Sequence, residues 1–93
     1  MTNHAQPPAD PYQDVPTTVV FDEFSETATT LTGLYNGRAK GAATAEEREE
    51  WWSKAMVLRD ACRAVRAHDR DQLIEHIALW TRKIEELESS ERG

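Results

Sequence analysis

Apolar residues recur along the second half of the chain at the alternating three- and four-residue spacing of a helix that packs along one seam. Trp51, Ala55, Leu58, Cys62 and Val65 form one such seam, and Leu73, Ile77, Trp80, Ile84 and Leu87 form another. The two are mirror-related about Asp69: Val65 stands opposite Leu73, Cys62 opposite Ile77, Leu58 opposite Trp80, Ala55 opposite Ile84 and Trp51 opposite Leu87. That symmetry predicts a long antiparallel hairpin turning near Asp69, with Leu58 and Ile77 inside and Glu75 and Arg82 outside.

Start signals support both helices. Thr44-Ala45-Glu46-Glu47 has the capping-box pattern, in which a hydroxyl accepts from an N–H three residues on and acidic side chains face the positive end of the macrodipole. Asp69-Arg70-Asp71-Gln72 is a comparable start. The predicted spans are about 45–67 and 70–89.

Upstream, Phe21, Phe24, Ala28, Leu31 and Tyr35 repeat at the same spacing, and Leu34 widens the face. They predict a first helix over about 20–36, capped by Thr18 or Asp22 and stopped by Asn36-Gly37, both of which tolerate the left-handed conformation. Thr27, Thr29, Thr30, Thr32 and Gly33 are poor helix formers, each costing a few tenths to about 1 kcal/mol relative to alanine. The expectation is a weaker helix that needs tertiary contacts. Thr17 to Phe21 could be a strand, but nothing else in the chain could pair with it. All four prolines, Pro7, Pro8, Pro11 and Pro16, fall before it. Residues 1–17 therefore read as a disordered tail, in which Tyr12 and Val15 are the side chains able to dock. Residues 18–92 form a single all-α domain.

Ninety-three residues make a small core, and chains of this size often lean on a partner. A mean hydropathy of −0.71 and the lack of any apolar run near the roughly 18 residues of a membrane span predict no membrane partner. No secretory signal is visible and there is one cysteine, which predicts a cytoplasmic protein. Arginine exceeds lysine and alanine is common, as in chains from high-GC bacterial genomes and their mobile elements.

The net charge of −6 opposes general nucleic-acid binding, which depends on neutralising phosphates. Its distribution is uneven. Arg59, Arg63, Arg66 and Arg70 form a basic stripe by the turn. In a hairpin, Glu46, Glu47, Glu49 and Glu50 meet Glu85, Glu86, Glu88 and Glu91 at the open end. Helix 2 thereby complements its own dipole, whereas the last glutamates oppose that of helix 3. Either these flanks are simply solvated or the acidic end meets a basic partner. The stripe leaves a nucleic-acid-associated plasmid or phage factor as the alternative function. A helix-turn-helix is disfavoured, because its helices are shorter and cross more steeply.

Chemistry is scarce. His4, His68 and His76 lack zinc spacing, and the positions three residues before His68 and His76 hold Val65 and Leu73 where a di-iron bundle places glutamate. Cys62 lies on a core seam, where a small hydrophobe is expected rather than a reactive thiolate. No serine has a suggestively spaced histidine, and no glycine-rich phosphate loop exists. The sequence therefore predicts no metal, no cofactor and no enzyme. Trp52, Met56, Ile74 and Ala78 border the seams as a second apolar face, either covered by helix 1 or used as a contact surface. The expected function is interaction or regulation through protein–protein contacts. The expected assembly is a homodimer with Trp52 near its centre, the basic turn of one hairpin meeting the acidic end of the other.

Overall fold

A computed structural model describes residues 12–92. It holds three helices and, among those residues, no strand: α1 over Thr17–Lys40, α2 over Ala45–Ala64 and α3 over Arg70–Arg92. Most of the expected proline-rich tail, residues 1–11, lies outside the described residues. The part described docks as its side chains allow, since Tyr12 and Val15 pack against the core.

Both expected caps form. Thr44 Oγ1 accepts from the Glu47 N–H at 3.1 Å, and Asp69 Oδ1 accepts from the Gln72 N–H at 3.3 Å. The start of α1 differs from expectation, because its N-cap is Pro16 and no side chain caps it. Its end differs too. The helix runs through Asn36-Gly37 to Lys40, and the Gly41 N–H donates to the Gly37 carbonyl at 3.1 Å. The extra turn is held by tertiary contacts: Ala39 is fully buried, and the Arg38 guanidinium donates to the Leu87 carbonyl at 2.7 Å. At the other boundary α2 ends at Ala64, and Val65 turns extended while its side chain stays against the core.

The helices pack in an order that corrects the expected hairpin. Both α2 and α3 pack on α1, and no Cα of α2 comes within 8 Å of one in α3. The four-residue link makes α1 and α2 antiparallel neighbours, with Tyr35 near the end of one and Trp51 near the start of the other at 6.1 Å between ring centroids. Helix α3 runs parallel to α1. Arg70 at its start reaches Thr17, and Leu87 near its end reaches Arg38. Leu58 and Ile77 are buried and Glu75 and Arg82 exposed, as expected, but the two seams face α1 rather than pairing directly across a hairpin.

The side-chain sizes explain why α1 takes the middle. Its buried stripe, Val20, Phe24, Ala28, Leu31, Tyr35 and Ala39, carries two large aromatics and a leucine. The α2 seam carries Ala55 and Cys62, too small to fill the space against a second helix unaided. Only Leu58 of α2 is buried. The stripe of α1 fills that space from one side and receives Leu73, Ile77, Trp80 and Leu87 of α3 on the other. Phe24 is the junction with α3, 5.2 Å from Trp80 and 6.2 Å from the His76 ring.

The burial on α1 argues against the expectation of a weak α1. Its threonines are accommodated by bonding back one turn, Thr27 Oγ1 to the Glu23 carbonyl at 2.8 Å and Thr29 Oγ1 to the Ser25 carbonyl at 2.9 Å. Burial of the stripe then outweighs propensities worth a few tenths of a kcal/mol each. The sparsely buried helix is α2. Two leucines test this packing. Leu31, 1 % exposed, should cost about 2–5 kcal/mol when changed to alanine, and Leu79, 53 % exposed, should cost no more than about 0.5 kcal/mol, both measured by urea denaturation.

Candidate interaction groove

The sparse cover of α2 leaves a groove along its junction with α1. Its volume is about 800 Å³. Helix α1 lines it with Phe21 and with Ser25, Thr29 and Thr32, short side chains spaced four and three residues apart on one face. Helix α2 lines it with Ala55 and Cys62 at the bottom and Trp52, Met56, Arg59 and Arg63 on the rim. Trp52 and Met56 remain 55 % and 50 % exposed. These are large apolar side chains that α1 leaves uncovered, because its adjacent residues are too short to reach over them.

The expected apolar face is thus divided. Trp52 and Met56 belong to the groove, whereas Ile74 and Ala78 lie on α3, with Ile74 packed against the core and Ala78 exposed. The division follows from the insertion of α1 between α2 and α3. Phe21 stands on the expected apolar face of the first helix, whereas the stripe of Ser25, Thr29 and Thr32 is the part the sequence did not disclose. The four-and-three spacing of these short residues was the available signal, and Thr29 and Thr32 enter the sequence argument only as poor helix formers.

The basic stripe is broken as well. Arg59 and Arg63 sit on the groove rim, and Arg66 is exposed in the link after α2. Arg70 is engaged: its guanidinium donates to the Val15 carbonyl at 2.7 Å, to Thr17 Oγ1 at 3.2 Å and to the Tyr12 carbonyl. It clasps the lead-in segment to the starts of α1 and α3. Around the same end stand Asp22, Glu23 and Glu26 of α1 and Asp71 and Glu75 of α3, so that end is not basic overall. The Tyr12 hydroxyl donates to Glu23 there.

The opposite end carries acidic residues of both outer helices. Glu46, Glu47 and Glu50 at the start of α2 and Glu85 and Glu88 near the end of α3 are all exposed. The parallel course of α1 brings Arg38 among them, 5.5 Å over the Trp51 ring and bonded to the Leu87 carbonyl. That guanidinium sits on one carbonyl in the C-terminal part of α3, where a cation favours the macrodipole that the terminal glutamates oppose. Lys83 pairs with Glu86 at 3.6 Å on the surface, a contact worth little by itself. Burial, and then the Glu86 charge, push the Tyr35 hydroxyl up from its ordinary pKa.

Burial pushes the Cys62 thiol up, which disfavours the nucleophilic thiolate. His76 Nδ1 lies 2.8 Å from the Gln72 carbonyl, and its ring packs 5.0 Å from that of Trp80. Among the described residues no group of three or more His, Cys, Asp or Glu is placed to hold a metal ion, and no helix is long and apolar enough to cross a membrane. No protein-family model, curated protein or solved structure matches the chain.

The clasp makes a direct prediction. Arg70→Ala should lower stability by about 1.5–3 kcal/mol, the range for hydrogen bonds to a charged group, and Arg66→Ala should change it by less than about 0.5 kcal/mol, both read from thermal melts. Equal effects would remove the distinction drawn between the two arginines.

Proposed function

We propose that this chain is a small helical interaction or regulatory protein that works through protein–protein contacts at the α1–α2 groove and associates with itself there. The observation that carries this reading is the half-exposure of Trp52 and Met56 beside an apolar floor. Soluble monomers seldom expose contiguous apolar patches of functional size without a partner. Tryptophan, methionine and arginine are also the residue types that interfaces favour at their centres and hot spots. The short Ser25, Thr29 and Thr32 side chains suit the groove to another helix, because they let a backbone come close.

The nucleic-acid alternative has less support. Arg59, Arg63 and Arg66 remain exposed, but Arg70 is occupied within the fold, and acidic side chains of α1 and α3 stand near that end. A chain with net charge −6 and three exposed arginines in this stripe neutralises few phosphates. Salt-sensitive binding to duplex DNA would favour that alternative over the groove.

Sedimentation equilibrium at micromolar concentration tests the reading. The wild-type chain should sediment at about twice its 10.6 kDa, Trp52→Glu at the single-chain mass, and Leu79→Glu, an exposed leucine outside the groove, at twice. A monomeric wild type, or a dimer unaffected by Trp52→Glu, would overturn it.

A further inference from the structure

The groove-lining side of α2 carries a charge pattern that complements its own reverse. Along this side lie Glu49, Trp52, Met56, Arg59 and Arg63, spaced three, four, three and four residues apart. This is a second seam, turned away from the one that packs on α1, and the last four of these residues line the groove. It runs from acidic through apolar to basic over about four turns of helix. A copy laid alongside in the same direction would place Glu49 by Glu49 and Arg59 by Arg59. A copy laid in the opposite direction would place acid by base at both ends and apolar by apolar in the middle.

We infer that the groove receives α2 of a second copy of this chain, antiparallel about a two-fold axis near Lys54, with Glu49 facing the partner's Arg59 and Trp52 facing the partner's Met56. This rests on the groove being an interaction surface and adds which helix fills it, in which direction and in which register. Two-fold symmetry repeats every contact, so one sequence pairing gives two ion pairs and two Trp–Met contacts. The register is selected by the centre and the ends together. Sliding the copies by one turn would set Trp52 against the partner's Arg59 or Asp60 in one direction; in the other it would set Trp52 against the partner's Trp52 but leave Glu49 opposite the partner's Ala55, losing the acid–base meetings. In the inferred register the indole meets sulfur and methylene, a favourable contact for a polarisable side chain. Arg63 then falls opposite the partner's Ala45, in the first turn of the partner helix, where the partner's Glu46 and the partner's Glu47 add negative charge nearby.

The short side chains of α1 complete the fit. Ser25, Thr29 and Thr32 flank the groove along the length that the second α2 would occupy, and the α1–α2 pair of each copy would meet that of the other as four helices around Trp52 and Met56. The acidic run at the start of α2, which sits at the acidic end of one chain, would lie beside Arg59 and Arg63 of the second.

A charge-reversal cycle read by sedimentation equilibrium tests the register, with Trp52→Glu as the control for the groove. Glu49→Arg alone and Arg59→Glu alone should each weaken the dimer by roughly tenfold, because symmetry turns two attractive meetings into two repulsive ones. The double variant Glu49→Arg/Arg59→Glu should recover to within about threefold of the wild type. If Trp52→Glu dissociates the dimer while the double variant is no tighter than the singles, the antiparallel register is wrong and the groove reading survives. If Trp52→Glu leaves the dimer intact, the groove reading fails and the register fails with it. Circular dichroism on each variant separates loss of association from loss of fold, since all the substituted side chains are exposed in the single chain.

Discussion

The structure depends on a single apolar stripe serving two helices. Val20, Phe24, Ala28, Leu31, Tyr35 and Ala39 of α1 lie close to one line on the helix surface, and α2 and α3 approach that line from its two flanks. The large side chains of α1 fill the space between helices that do not reach each other. Helix α3 answers with four buried residues and α2 with one, so the sharing is unequal. The unequal sharing is what leaves one side of α2 open. The groove is therefore a consequence of how the core is distributed, and no separate element is needed to create it.

The same arrangement assigns the charges. Parallel α1 and α3 bring the positive end of each helix together at one end of the molecule, and Arg70 there is taken up by the lead-in backbone. At the other end Arg38 from α1 meets the Leu87 carbonyl of α3 and the Trp51 ring. Two arginines thus act as clasps, one at each end of α1. Those left free along the groove rim are Arg59 and Arg63, on the helix that contributes least to the core.

The sequence made the elements legible and left their order hidden. Thr44 and Asp69 announced two helix starts because capping is local chemistry between residues three apart. The seams of α2 and α3 were likewise visible, and Leu58 and Ile77 are buried as the periodicity requires. Their mirror symmetry about Asp69 was a poor guide to pairing. Any two helices with regular seams joined by a short link show such symmetry, whether they face each other or a third helix. What distinguishes the cases is side-chain volume, and the Ala55 and Cys62 positions of α2 were the warning. The threonines of α1 speak to a different quantity. Propensity describes an isolated helix, while six buried residues decide a packed one. Trp52 and Met56 could be picked out from sequence, but their companions could not, because a groove belongs to the pair of helices and not to either alone.

Native-state hydrogen exchange, followed by mass spectrometry on the Trp52→Glu chain so that association adds no protection, tests the central role of α1 most directly. The amides around Leu31 should exchange slowest, at the rate set by global unfolding, and those around Met56 should exchange faster through local opening of α2. Slowest exchange shared by α2 and α3, with α1 opening first, would contradict the account and restore a hairpin core.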